Sequence, residues 1–215
     1  MIAVTMLPPM QGLDARVRTA LRRLAADAEH WRSNPMYRVS ARAKAMRPLR
    51  TRQFHHFGDG AIVHRPEWLS GTSKIAIGSY SVLLRPWLSV EKIAWNKPAP
   101  VLEIGDLVAF RLGATISAAE SIVLDDHVGA GAYVTIIDSA HTWEAGRVNP
   151  RHNPIKTAPI RIGEGTWLAD RATVGMGTEI GEQCAIGPNS VVTGTIPDYS
   201  IVLGNPGRVV GHTRD

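Results

Sequence analysis

The sequence predicts an all-β main body, a stacked coil of short strands with a short α-helical segment in front of it. Three observations support this fold class. Large aliphatic residues recur every six positions, small residues recur at fixed offsets from them, and the composition favours turns. The 215 residues include 20 Gly and 14 Pro and only 6% aromatic residues, which is typical of turn-rich β structure and not of a helical bundle.

The six-residue repeat runs through two arms of the chain. In each arm, six successive positions spaced by six carry Ile, Leu, Val or Phe without a miss. About one residue in four is of these types in an average protein, so twelve such matches have a chance likelihood on the order of 10⁻⁵ or less. The two arms are Ile104, Phe110, Ile116, Ile122, Val128, Val134 and Ile162, Leu168, Val174, Ile180, Ile186, Val192.

Six residues suit one short strand and one corner, with the aliphatic side chain pointing inward. Glycine often follows the aliphatic residue, as in Ile162-Gly163, and tolerates the tight corner. The position four after the aliphatic residue is often small, as the narrow interior of stacked layers requires. One turn cannot bury its inner face alone, so the repeat predicts a stack. The small positions are Val108, Ala114, Ala132, Thr166, Ala172, Thr178, Cys184 and Ser190.

The charge divides the chain into segments. Residues 1–56 carry a net charge of +8 and the remainder −3. The apolar spacing over residues 14–30 predicts one helix. We therefore predict a basic, partly helical N-terminal segment (1–56), a β-helix domain (57–200) and a C-terminal tail (201–215). A charge run of this kind is more often a solvated face or a subunit contact than a nucleic-acid or membrane arm.

Cysteine content and hydropathy indicate the compartment. One cysteine excludes an intramolecular disulfide. Since Cys184 occupies a small interior slot, it is predicted to be inert core. No apolar segment approaches membrane-spanning length and no targeting segment is evident. A cytoplasmic location is expected.

The hexapeptide frame breaks between the two arms. Ile162 follows Val134 by 28 residues, which is not a multiple of six, and residues 139–159 are predicted to be an inserted loop. Loops of this length in a compact body are usually functional or disordered. His141 stands at the start of this loop, in Asp138-Ser-Ala-His141-Thr142.

The pattern Ile-Gly-x-x-Thr/Ala/Ser-x, the stretch 162–174 and Gly204-Asn-Pro-Gly-Arg208 resemble the hexapeptide-repeat acyltransferases. The similarity covers about residues 57–210 and includes the galactoside, maltose and polysaccharide O-acetyltransferases and the streptogramin acetyltransferases. The resemblance implies a left-handed β-helix, which periodicity alone would not predict, since ordinary parallel crossovers are right-handed. It also implies acetyl-CoA as acyl donor, no metal, and a homotrimer with active sites at subunit interfaces.

Acyl transfer to a hydroxyl or amine needs a base for the acceptor proton. His141 matches the position of the family's catalytic histidine, and an imidazole can accept that proton at neutral pH. Asp138 either orients His141 or is a corner or acceptor-binding residue. The resemblance makes Trp143 and Arg147 candidates for the acceptor pocket, with packing on the adjacent coil as the alternative for Trp143.

The resemblance also places coenzyme A along the coils that follow Trp167. Relatives often carry lysine where this chain has Gly194. Either Arg208, Arg171 or the basic N-terminal segment then meets a donor phosphate, or donor affinity is weak. The predicted contacts are Trp167, Ala169, Gly187, Thr193 and Arg208.

Two other functions are compatible with this fold. A carbonic anhydrase-like metalloenzyme would use histidines such as His127, His141 and His152, but the helical body lacks the close pair that such a site needs. A non-catalytic scaffold could bind an anionic partner through its basic arm. We expect no nucleic acid and no membrane span. The leading hypothesis is a coenzyme A-dependent acyltransferase acting on a small or saccharide acceptor, with the acceptor, the acyl length and O- or N-transfer left open.

Overall fold

A computed structural model describes residues 45–143, 149 and 152–214 of the chain. The helix predicted over residues 14–30 and the predicted site residue Arg147 lie outside the described residues. Residues 45–53 are helical and precede the first strand. Within the described residues, no helix is long and apolar enough to cross a bilayer.

The strands wind into seven successive coils. Short 3₁₀ helices, Thr72–Lys74 and Lys92–Ala94, follow coils 1 and 2. Coils 1 to 4 comprise β1 (His56–Phe57), β2 (Ile62–His64), β3 (Trp68–Ser70), β4 (Ile75–Ile77), β5 (Val82–Leu84), β6 (Trp87–Val90), β7 (Leu102–Ile104), β8 (Ala109–Phe110), β9 (Thr115–Ala118), β10 (Ile122–Leu124), β11 (Gly129–Ala130) and β12 (Thr135–Ile137). A hairpin follows, formed by β13 (Ser139–His141) and β14 (Ile155–Thr157). Coils 5 to 7 comprise β15 (Ile160–Ile162), β16 (Trp167–Leu168), β17 (Thr173–Val174), β18 (Glu179–Ile180), β19 (Ala185–Ile186), β20 (Val191–Val192), β21 (Thr195–Ile196) and β22 (Ser200–Leu203), and β23 (Arg208–His212) ends the chain of strands.

Each side of the coil is one sheet. Sheet A has the order β1-β4-β7-β10-β15-β18-β21, sheet B the order β2-β5-β8-β11-β16-β19-β22-β23, and sheet C the order β20-β17-β12-β9-β6-β3. All neighbours in these sheets pair in parallel except β22 and β23. The predicted left-handed parallel β-helix is confirmed.

The predicted aliphatic ladder forms the core. All twelve positions are buried, with 2% or less of each residue exposed. At the end where the chain enters, the rings of Phe54 and Phe57 lie 5.3 Å apart and are also buried. The core is therefore one continuous column inside the coil.

The repeat contains a shift that the sequence pattern hides. In the first arm Ile104 pairs with Leu124, 20 residues later, although a regular coil of three hexapeptides needs 18. The two additional residues lengthen the corner before Ile122. Since alternate residues of a strand point the same way, Ile122 and Leu124 are both buried, and the ladder continues without an apparent break.

The chain beyond residue 200 continues the β structure. β22 pairs with β19 and extends three residues past the predicted end of the domain, and β23 adds an antiparallel strand inside the predicted tail. An antiparallel closing strand need not follow the hexapeptide pattern, so the repeat could not predict it.

Interior hydroxyls join successive coils. The Thr166 Oγ1 donates to the carbonyl of Gly181 at 2.9 Å and accepts the backbone N–H of Cys184 at 3.0 Å. Thr166 is fully buried. This explains why threonine or serine fits the fourth position of the repeat.

Replacing Thr166 with valine should lower the free energy of unfolding by about 1–3 kcal/mol, because the shape is kept while a buried N–H and a carbonyl lose their partner. Urea unfolding measures this. Thr173→Val, on the half-buried outer side of sheet C, should change stability by about 0.5 kcal/mol at most. Equal losses of unfolding free energy in the two variants would show that the hydrogen bonds of the Thr166 hydroxyl do not stabilise the coil.

Candidate functional site

The inserted segment leaves the coil at one edge, where the chain passes from sheet C to sheet A. We call this the C–A edge. β12 ends at Ile137 and β15 begins at Ile160. The strands between them pair antiparallel, with His141 opposite Ile155. The described part of the predicted loop thus forms a hairpin that projects from the C–A edge.

His141 is the last residue of β13, and its side chain is exposed. Its Nδ1 lies 3.3 Å from the main-chain oxygen of Asn153. A carbonyl can only accept, so this contact places the proton on Nδ1 and leaves Nε2 with a free lone pair. The geometry is that of an available base.

Asp138 is fully buried, and its carboxylate faces the neighbouring coil. It accepts the backbone N–H groups of Ala119 at 2.7 Å, Glu120 at 2.8 Å and Ser121 at 2.9 Å. Burial raises the pKa of the Asp138 carboxyl, and these three hydrogen bonds oppose the rise only in part. Of the two predicted roles, this geometry fits the corner residue, because both oxygens bind backbone amides while Nδ1 of His141 has another partner.

Glu120 is a further residue that joins the hairpin to the coil. Its carboxylate accepts a hydrogen bond from the Thr157 hydroxyl on β14 at 2.6 Å and pairs with Lys97 at 2.6 Å. The hydrogen bond from Lys97 and then that from Thr157 lower the pKa of Glu120. Sequence reasoning missed this residue, because its partners are 23 and 37 positions away.

Trp143 follows the hairpin strand and is 87% exposed. The alternative that it packs against the adjacent coil is therefore not what the structure shows. The exposed ring lies two residues from His141, where it could contact a bound molecule.

The outer face of sheet B carries most of the residues predicted to bind coenzyme A. Trp167 is 46% exposed and is paired between Gly129 and Ala185. A Cβ atom added at Gly129 would lie 2.7 Å from the Trp167 ring, so the ring covers this glycine. The paired neighbours of the indole are therefore Gly129, which has no side chain, and Ala185, which has only a methyl group.

A second row of residues runs parallel to Trp167, in which the Leu203 side chain lies over Gly187. Ala169 and Gly187 directly follow paired strands β16 and β19, and Leu203 ends β22 in the same register. Arg208 is paired with Leu203 across β22 and β23, and it is exposed. Four of the five predicted cofactor residues thus lie along sheet B, with the cation at the end of the row.

Thr193 lies elsewhere. It follows β20 at the C–A edge, where its methyl group stacks above Gly175. His141 projects from the same edge. In a three-sided coil this edge is opposite sheet B, so a single copy of the chain does not bring His141 and Thr193 together with Trp167, Ala169, Gly187 and Arg208.

Two grooves lie on sheet A, with volumes of about 530 and 300 Å³. Their lining includes Glu164, Glu179 and Asp198, together with the ion pair of Arg161 and Asp125. A surface this rich in carboxylates repels phosphates. Sheet A is therefore a poor surface for coenzyme A despite its grooves.

The described residues contain no group of three or more His, Cys, Asp or Glu side chains arranged to hold a metal. His127 lies at a corner and its Nδ1 is 3.3 Å from a carboxylate oxygen of Glu164. Cys184 is buried, and burial raises the pKa of its thiol, which makes it a poor nucleophile at neutral pH.

Comparison with known sequences confirms the predicted resemblance. The family model described as Bacterial transferase hexapeptide (six repeats) matches residues 159–194. A Mycobacterium tuberculosis protein named "Probable acetyltransferase Rv3034c" is 35% identical over 109 residues. That alignment covers 51% of this chain and 36% of the relative, so the chain spans little more than a third of this curated relative.

Solved structures support the fold. A hexapeptide-repeat acetyltransferase from Vibrio cholerae, VCA0836, in complex with acetyl coenzyme A, matches 95% of this chain and 92% of its own at a TM-score of 0.54 and 18% identity. AntD, an N-acyltransferase from Bacillus cereus, was solved as a point mutant with dTDP-4-amino-4,6-dideoxyglucose and coenzyme A. It matches 78% of this chain and 88% of its own at a TM-score of 0.58 and 14% identity.

Proposed function

We propose that this chain is a coenzyme A-dependent acyltransferase that moves an acyl group, most simply acetyl, directly to a hydroxyl or amine of a sugar-like acceptor. The observation that carries the proposal is the hairpin at the C–A edge. It interrupts the coil between β12 and β15 and holds an exposed His141 whose Nδ1 is occupied by a carbonyl oxygen. A histidine held in this way is suited to act as a general base.

The reaction needs no covalent enzyme intermediate. The acceptor oxygen or nitrogen bonds to the thioester carbonyl carbon, and its proton passes to Nε2 of His141. The carbon–sulfur bond then breaks, and the proton moves from His141 to the leaving thiolate, which departs as the free thiol of coenzyme A. Positioning of both substrates supplies much of the rate enhancement.

Sheet B is the proposed donor surface. The outer surface beside Trp167, where Ala169 and Gly187 lie in one row, is the proposed contact of an extended pantetheine arm. The Leu203 side chain, which lies over Gly187, would add an apolar contact. Arg208 at the end of this row is the proposed phosphate contact. This would supply the cation that relatives place at the position of Gly194.

The proposed site is shared between copies of the chain, because the donor surface and His141 lie on opposite sides of one coil. A homotrimer would place the C–A edge of one copy against sheet B of the next. Asp138 then acts as a positioning residue that fixes the hairpin, and Trp143 with Arg147 contributes to the acceptor pocket. The sugar-like acceptor is supported by the amino sugar nucleotide bound in AntD.

The test is an acyl-transfer assay with the full chain. Acetyl-CoA is offered with simple sugars, amino sugars and sugar nucleotides, and both thiol release and product mass are followed. Products that survive alkali are amides, and products that are hydrolysed are esters. Failure to bind coenzyme A in calorimetry, with no transfer to any acceptor, would reject the proposal in favour of a non-catalytic scaffold.

A further inference from the structure

The hairpin that holds His141 contains a gap in its hydrogen-bond ladder. β13 and β14 pair His141 with Ile155, and the next backbone bond runs from the N–H of Thr142 to the oxygen of Pro154 at 2.9 Å. A regular antiparallel pair would return a bond from residue 154 to the oxygen of Thr142. Proline has no N–H, so residue 154 cannot make it.

The side chain of Asn153 supplies the missing donor. Its Nδ2 donates to the main-chain oxygen of Thr142 at 2.6 Å. The main-chain oxygen of the same residue faces Nδ1 of His141 at 3.3 Å. One residue therefore holds both the ring of His141 and the backbone that follows it.

Asn153 is built into the hairpin and is not a surface side chain. It is only 5% exposed. Its Oδ1 is buried and has no hydrogen-bond partner among the described residues. A buried acceptor without a hydrogen bond lowers the stability of the fold, so its presence needs a functional explanation. The hairpin uses the Nδ2 donor of this amide, and Oδ1 is buried with it because both atoms belong to the same group.

We propose that Asn153 is a positioning residue that selects the reactive tautomer of His141. Its side-chain amide fixes the turn in place of the N–H that Pro154 lacks, and the turn aims the Asn153 carbonyl at Nδ1. The proton is then held on Nδ1, and Nε2 is the atom left to take the acceptor's proton. The catalytic part of this inference rests on the proposed acyl transfer, whereas the tautomer part does not.

The experiment compares four variants of the full chain. Asn153→Ala removes the donor, and Asn153→Asp keeps the shape but presents a carboxylate that cannot donate. Asn153→Ala combined with Pro154→Ala restores a backbone N–H at residue 154. Lys156→Ala, an exposed residue of β14, is the matched control.

Two readouts are used. The ¹⁵N shifts of the His141 imidazole report its tautomer, and steady-state kinetics separate kcat from KM. Both single Asn153 variants should lose the uniform Nδ1–H signature and lower kcat on the order of 10-fold, as the loss of an orienting partner typically does, without raising KM for acetyl-CoA. The double variant should regain most of the Nδ1–H signature and most of the parent's kcat. Lys156→Ala should resemble the parent in both.

The outcomes separate this proposal from the proposed function. An unchanged His141 tautomer in both single variants would overturn the role of Asn153, whatever the activity. A tautomer that changes and is restored by Pro154→Ala, in a chain that transfers no acyl group, would keep the positioning role and reject the catalytic one. If the double variant stays as impaired as Asn153→Ala, the Asn153 side chain does not replace the N–H that Pro154 lacks.

Discussion

Replacing His141 with alanine should lower kcat for acyl transfer by about 10²- to 10⁴-fold, the range that general-base catalysis supplies. The side chain is exposed on the projecting hairpin, so its loss should leave the coil intact. Asp138 cannot take over as the base, since both of its oxygens are held by three backbone amides. Rates are measured with saturating acetyl-CoA and an acceptor found in the assay.

The matched control is His56→Ala. His56 is an exposed histidine in β1, in the first coil, whereas the hairpin follows the fourth coil. It should keep the activity of the parent. His141→Ala should still bind coenzyme A, because the proposed donor surface lies on sheet B. Undiminished transfer by His141→Ala would remove this histidine from the chemistry, even if the chain is an acyltransferase.

Replacing Asp138 with asparagine should lower the free energy of unfolding by about 2–3 kcal/mol, because one buried carboxylate oxygen becomes an NH₂ group that faces backbone N–H donors. It should also lower activity, since the Asp138 backbone joins the hairpin to the coil. The main-chain oxygen of Asp138 accepts the N–H of Ala158, which closes the hairpin base at 3.0 Å. Urea unfolding and the transfer assay measure the two effects.

Asp170→Asn is the matched control for Asp138→Asn. The exposed Asp170 also accepts a backbone amide, that of Ala132 at 2.6 Å, but only through one oxygen. An asparagine can rotate to keep that single bond, so the loss should stay below about 1 kcal/mol. Similar losses of unfolding free energy in both variants would mean that the three backbone amides bound by Asp138 stabilise the fold no more than the single amide bound by Asp170.

The coil itself could be predicted from sequence because its constraint is local. Each aliphatic residue must point into the same narrow interior, so the period of six is visible in the amino-acid sequence. The two-residue shift before Ile122 could not be found this way, since alternate strand positions are equally buried. β23 was not predicted, because an antiparallel closing strand does not have to follow the hexapeptide pattern.

The site was predictable only in part. The break in the frame predicted the inserted segment that holds His141, but the partners of Asp138 lie 17 to 19 residues upstream and become neighbours only when coils stack. Asn153 stands before a proline, and that signal has meaning only once β13 and β14 are known to pair. The resemblance implied sites at subunit interfaces but did not indicate which predicted cofactor residues share one face of a copy. In the three-sided coil, Thr193 lies at the C–A edge and Trp167 on sheet B.

That separation leads to the central claim, a catalytic site made from the C–A edge of one copy and sheet B of another. It can be tested by co-expressing two inactive variants with different tags and purifying the mixed oligomer. His141→Ala lacks the base but keeps its donor surface. Ala169→Trp places a bulky side chain on the proposed donor surface beside Trp167 but keeps its base.

Shared sites predict that the mixed oligomer regains activity. In a purified trimer that contains both variants, one site of the three combines two intact halves, so the activity should approach about a third of that of the parent. The same pairing of His141→Ala with His141→Asn should stay inactive. Activity in the mixture no higher than in the separate variants, from an oligomer shown to contain both tags, would contradict the shared site.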